Sequence, residues 1–284
     1  MLLVGVGFWH TVSTLRVGYF ETDGFVEPSP ANRRAVHRAL DVLRDAGATL
    51  VPYHPPHQAE MIEQYVAATS SDGMASLRSA FGDEPMAQSL RFMWRLGTAP
   101  SSARGAAHHA LNLVGEHRLA NLVQAAGRKS ASDLWRLTAR RDQMRVDIEQ
   151  AWRTAEIDVL VCPASATSAV PIGMEHDAAL MFSYFGRFNV LGKPAGVVPV
   201  SRVQSAETIR ARGRDRIDRR LAAITAQSLG LPVAVQVVGH RWQDETVLAT
   251  LATIEAGVRA SEDYPITPVL HDSLRVGPRV RPSP

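Results

Sequence analysis

The chain has 284 residues, of which 45% are apolar and 21% charged, and its net charge is +3. Such a composition is globular, and a core of this size needs no disulfide staples; the single Cys162 excludes an internal disulfide and a cysteine-rich metal site, and a cytoplasmic chain is the default expectation. So small a positive charge is no argument for nucleic acid as a partner, and no apolar run approaches the roughly 18–20 residues that span a bilayer.

Residues 1–14, "MLLVGVGFWHTVST", are apolar but lack the basic start and small-residue cleavage site of a signal peptide. They read as an atypical extension ahead of the main unit. Residues 15–53 read as a strand–helix–strand unit. "LRVGYF" is rich in strand formers, Ser29 is a good N-cap, and Pro30 suits the first helical position. Val36, Leu40 and Leu43 follow at helical spacing, Gly47 supplies a C′ stop, and "ATLVPY" forms the second strand.

Residues 59–127 read as helical without a sharp apolar stripe. Ser132 is taken as the cap of the next helix, on which Leu134, Leu137, Met144, Ile148 and Trp152 keep near-helical spacing. That helix leads into "IDVLVCP", a buried-strand pattern. "AGVVPV" and "PVAVQVVG" add two strands, with a helical stretch between them that ends near Leu229–Gly230. Asp244 is expected to cap a last helix bearing Val247, Leu251, Ile254 and Val258. The Arg-rich stretch 202–220 reads as a solvated helix face with intrahelical ion pairs. From Pro265 the tail is rich in Pro and Arg. The pattern is α/β, one sheet with helices on its faces.

Local candidates for chemistry are few. Cys162 ends a buried strand with no histidine within ten residues on either side, so a small apolar filler is expected. Ser165 and Ser168 lie just beyond it, in a loop without the glycine-flanked serine of a nucleophile elbow; they suit hydrogen bonding to a ligand. His54–His57 and His108–His109 are the closest histidine pairs. Two prolines make the first an extended loop, so exposed loop histidines are expected there and no metal is assigned. No phosphate-cradling glycine loop occurs, and no cofactor is assigned. The residues alone describe a polar, small-residue loop at a strand end, where open α/β sheets bind ligands.

Taken in order, several stretches resemble the amidase-signature family, most closely its fatty-acid amide hydrolase branch: "LRVGYFETDGFVEPSPANRRAV", "AGATLVPY", "SSDGMASLRSAFGDEP", "QAWRTAEIDVLVCP", "GKPAGVVPVSRV" and "GLPVAVQVVGHRWQDETVLATLATIE". The resemblance implies a partial amidase-signature α/β/α sandwich over 15–264, a mixed sheet flanked by helices. It implies hydrolysis of carboxamides by a Ser–Ser–Lys triad, with oxyanion donors from a Gly/Ser-rich stretch. In the family both lie upstream of the "RVGYFETD" position, and neither Lys129 nor Lys193 matches the catalytic lysine. No catalytic residue is therefore assigned.

The expected role is the substrate-cavity part of such an amidase, inactive alone, with a small-molecule amide as ligand. Ser165 and Ser168 would line the cavity. Trp242 matches a tryptophan that shapes the acyl-chain cavity, and Phe25 stands where the branch has a tyrosine beside the access channel. Membrane contact is expected to be weak at most, at the modest apolar cluster Leu90, Phe92, Met93, Trp94 and Leu96. Two further readings stay open: a non-catalytic amide-binding pseudoenzyme, and a subunit completed by a separate N-terminal amidase half. Homo-oligomerisation is also open.

Overall fold

The computed structural model describes residues 12–174, 183–211, 213 and 215–266. Most of the apolar extension and nearly all of the Pro/Arg tail lie outside them.

Five strands form one mixed sheet: β1 (Arg16–Tyr19), β2 (Thr49–Pro52), β3 (Val159–Pro163), β4 (Ala195–Arg202) and β5 (Pro232–Gly239), in the order β2-β1-β3-β5-β4. β1 is parallel to β2 and to β3, whereas β5 runs antiparallel to both β3 and β4. Alternation of side chains along each strand feeds two cores. Val159, Val161, Val233, Val235 and Val237 point to one face. There α1 (Pro30–Asp45) buries Ala35, Val36, Leu40 and Leu43 beside Val247, Ile254 and Val258 of the helix Asp244–Val258. Leu160, Cys162 and Val238 point to the other face. Here α2 (Gln58–Thr69) supplies Met61 and Ile62, and the helix Ala131–Thr154 supplies Met144, Ile148 and Trp152; Tyr184, Phe188, Ile217 and Leu221 complete this layer. The result is the expected three-layer α/β/α arrangement around a mixed sheet.

The start of α1 is as its sequence dictates. The Ser29 hydroxyl accepts the Asn32 N–H at 3.2 Å, Pro30 begins the helix, and Gly47 follows its end at φ +93°. In numbering order α3 (Ala75–Phe81), α4 (Arg91–Thr98), α5 (Ser101–Leu113), α6 (His117–Ala125), α7 (Ala131–Thr154), α8 (Ser183–Leu191), α9 (Arg216–Thr225) and α10 (Asp244–Val258) complete the set.

Three local expectations are corrected. Ser130, not Ser132, caps α7, because its hydroxyl reaches the Asp133 N–H at 3.1 Å. Gln243 occupies the N-cap of α10, and Asp244 is its first helical residue, where an acidic side chain favours the positive helix end. The Arg-rich stretch 202–220 is not one solvated helix. It ends a strand, makes a short turn and only then enters α9. Its acids are taken in tertiary ion pairs: Arg34 with Glu207 at 2.6 Å, and Arg118 with Asp215 and Asp218 at 2.6 and 2.8 Å.

Candidate functional site

The parallel strands β1 and β3 deliver their carboxyl ends to one edge of the sheet, and the segments that follow both pack against the start of α1. The Ser29 N–H donates to the Ala166 carbonyl at 2.8 Å, and the Asn32 side-chain amide donates to the carbonyls of Ser165 and Thr167. A short polar helix start thus holds the loop 164–170 by its backbone. Arg210 reaches in from the β4–α9 connection and donates to the carbonyls of Ala166 and Glu27. Burial holds its guanidinium below the usual arginine range.

Between this loop and the start of β5 lies a pocket of about 280 Å³ lined by Asn32, Ser165, Thr167, Ser168, Val170 and Val233 among others. The Ser165 and Ser168 hydroxyl oxygens are buried and have no hydrogen-bond partner among the described residues. An unsatisfied buried hydroxyl typically costs about 1–3 kcal/mol. Thr167 differs, since its hydroxyl donates to the Ser168 carbonyl at 3.0 Å.

Phe25 lies at the same end of the sheet, but its ring is 6% exposed and roofed by the Arg118 guanidinium, 5.8 Å from the ring centroid. Its position is set by Asp23, whose carboxylate accepts the N–H groups of Phe25 and Val26 at 2.9 and 2.8 Å. Asp23 is fully buried and meets Arg187, itself buried, at 3.5 Å. This charged pair, like Asn32 and Arg210, was not singled out from the sequence. The one available signal was an aspartate two residues before an aromatic in a turn.

Trp242 is not brought to these residues. β5 antiparallels β3, pairing Val235 with Pro163 and Gly239 with Val159, so the turn after Gly239 falls at the opposite end of the sheet from the 164–170 loop. There Trp242 is 84% exposed at φ +66°.

Cys162 has the filler's environment expected of it. It is fully buried, burial pushes its thiol well above the ordinary cysteine range, and its nearest polar partner is the Gln236 amide at 3.9 Å. The native chain is expected to leave a thiol reagent such as dithiobis(nitrobenzoate) unreacted until denaturant is added; stoichiometric labelling of the folded protein would contradict this burial.

The histidines depart from the expectation in one respect. His54 is exposed, but His57 is not a free loop histidine: its Nε2 lies 2.8 Å from Asp147 Oδ2 and its Nδ1 3.4 Å from Glu60 Oε2. No group of three metal-ligating side chains occurs among the described residues. No helix among them is long and apolar enough to cross a membrane.

A mixed sheet lies between helical layers, with a hydroxyl-lined loop at its carboxyl edge, and the chain belongs to the amidase family, which matches it over residues 8–248. Among curated relatives it is similar to "Fatty-acid amide hydrolase 1" of Sus scrofa, with 31% identity over 249 residues, 85% of this chain and 42% of that protein. "Fatty acid amide hydrolase 1" of Caenorhabditis elegans is 28% identical over 86% of this chain and 43% of its own length. A solved structure titled "Fatty acid amide hydrolase" superposes with a TM-score of 0.64 at 21% identity, covering 87% of this chain and 40% of that one, which is a likeness of fold. The chain therefore spans about two fifths of the length of the relatives it matches.

Proposed function

We propose that this chain is the substrate-cavity portion of a fatty-acid amide hydrolase-like amidase, that it holds a small-molecule amide against the 164–170 loop, and that it does not cleave the amide unaided. One observation carries the reading. The resemblance calls for a lysine base acting through a serine, and the sequence contains only Lys129 and Lys193. The Lys193 ammonium donates to Glu149 at 2.6 Å and sits 3.8 Å over the Trp152 ring; the Lys129 ammonium donates to the carbonyls of Ala125 and Ala126. Neither has a serine hydroxyl as partner among the described residues.

The same geometry supports a binding role for the loop. Two buried hydroxyls without a partner among the described residues, beside apolar Val170 and Val233, offer an amide both hydrogen-bonding groups and a dry wall. A subunit completed by a separate N-terminal amidase half is the second reading.

The test is hydrolysis of a simple anilide by the purified 284-residue chain. No turnover above the buffer rate is expected, and release of aniline by the chain alone would overturn the proposal. Adding the N-terminal portion of a related amidase distinguishes the two readings, since only a completed subunit would gain activity.

A further inference from the structure

On the helical side of the molecule, away from the sheet edge, a cleft of about 550 Å³ opens between two chain crossings: the α4–α5 link at Thr98–Ser101 and the α6–α7 link at Arg128–Ser130. Arg104, Arg128 and Lys129 line it together with Gly73, Ser101 and Ser130, and no carboxylate is among its lining residues. Among the described residues the hydrogen bonds of each cation go to neutral oxygen, although the Asp133 carboxylate lies near enough to attract the Lys129 ammonium. Arg104 donates to the Ala99 carbonyl, Arg128 to the Asp72 carbonyl at 3.5 Å, and Lys129 to the carbonyls of Ala125 and Ala126 at 2.6 and 3.2 Å. The Arg104 Nε is buried with no partner among the described residues.

The neighbouring acids are occupied elsewhere. The Asp72 carboxylate accepts the Ser76 N–H at 2.7 Å, and the Asp133 carboxylate takes the Ser130 hydroxyl at 2.6 Å and Arg136 at 3.1 Å. Several arginines elsewhere are matched to carboxylates, among them Arg33, Arg34, Arg38, Arg118 and Arg140. Three cations share one concavity whose lining holds no carboxylate, and Lys129 registers it: burial first, then the Arg104 charge, holds its ammonium below the usual lysine range against a smaller opposing pull from Asp133.

The backbone is shaped to admit the cations. Gly127 sits at φ +90°, and a Cβ there would lie 2.2 Å from Arg104 Nη1; a Cβ at Gly73, at φ +68°, would lie 3.1 Å from Arg128 Nε. The first turns of α5 and α7 border the cleft at Ser101 and Ser130 and add their partial positive charge. Guanidinium forks with donors to spare, an ammonium and two helix starts around one concavity suit a tetrahedral oxyanion with several acceptor oxygens.

We propose that the cleft formed by Arg104, Arg128 and Lys129 binds a phosphate group, as a phosphate monoester or the headgroup of an anionic lipid, at a site separate from the 164–170 loop. The cations then do more than close helix ends: they share one ligand, and removing any one weakens its binding.

Calorimetric titration of the full chain with inorganic phosphate in a chloride buffer tests it. Arg128→Gln is the lead variant, because its side chain is exposed and makes a single long contact, so folding is preserved. Arg128→Gln and Lys129→Gln are each expected to weaken phosphate binding about tenfold, as loss of one charge-assisted hydrogen bond requires, with Arg128→Lys in between. A second arm measures co-sedimentation with phosphatidylcholine vesicles with and without phosphatidic acid. Retention on the acidic vesicles that Arg128→Gln abolishes identifies a lipid headgroup; phosphate binding without vesicle binding identifies a soluble ester. Absence of binding in both arms, or binding that the substitutions leave unchanged, overturns the proposal.

Discussion

Arg187→Met is expected to destabilise the chain by about 3–5 kcal/mol, the usual cost of stranding one charge of a buried ion pair. Asp23 is fully buried, and Arg187 on α8 is 2% exposed. The guanidinium approaches the carboxylate at 3.5 Å, donates to the carbonyls of Asp23 and Ser183, and lies 5.7 Å from the Phe20 ring centroid. Removing it leaves a carboxylate in an apolar core with one oxygen, Oδ2, unpartnered among the described residues. The carboxylate's other oxygen still holds the turn at Phe25 and Val26.

Asp23→Asn in the Arg187→Met background should recover part of the loss. It removes the stranded charge and keeps the acceptor for the turn, so the two changes should be strongly non-additive. Urea unfolding monitored by circular dichroism reads both, as a lower midpoint at similar slope. A loss below about 1 kcal/mol for Arg187→Met, within the range of ordinary substitutions, would mean that the pair is not buried as described.

Trp152→Ala is the second large effect, at about 3–5 kcal/mol for truncating a buried tryptophan. The ring is 1% exposed and meets Tyr53 and His240 edge-on, with centroids 6.3 and 5.0 Å apart. Its face carries the Lys193 ammonium at 3.8 Å, whose side chain is almost wholly buried and whose carboxylate partner is Glu149. Truncation would therefore open a cavity and also leave Lys193 with one favourable contact fewer in a buried setting. Trp152→Phe keeps a ring under the ammonium and should cost clearly less. Equal unfolding midpoints for the alanine and phenylalanine variants would show that neither cavity size nor a ring face under the ammonium sets the loss, and a near-neutral Trp152→Ala would contradict the packing itself.

Both predictions fall on contacts that link distant parts of the chain, which no local sequence signal marks. All five strands were legible as short apolar runs, and the start of α1 as Ser29–Pro30, because each signal lies within a few residues. Caps were harder. Ser130 and Ser132 both precede the α7 pattern, and only the bond from Asp133 N–H to the Ser130 hydroxyl selects between them. Charge patterning misled at 202–220, where arginine and acid at helical spacing suggested neighbours on one helix. Arg34 and Arg118, from elsewhere in the chain, take the partners instead.

In the candidate site, Ser165 and Ser168 were legible from the small, polar loop after an apolar strand. Asn32, Arg210 and the Asp23–Arg187 pair were not, since each acts across the fold. Trp242 was placed by resemblance, and the antiparallel course of β5 carries it to the other end of the sheet.

By itself, then, the sequence determined the α/β class, the strands and the capped start of α1, because periodicity and capping are properties of neighbouring residues. Tertiary structure alone decided which charges meet, where the unmatched arginines gather, and which strand ends share an edge. Those depend on strand order, strand direction and helix packing that bring residues distant in the chain into contact, and no local pattern encodes that.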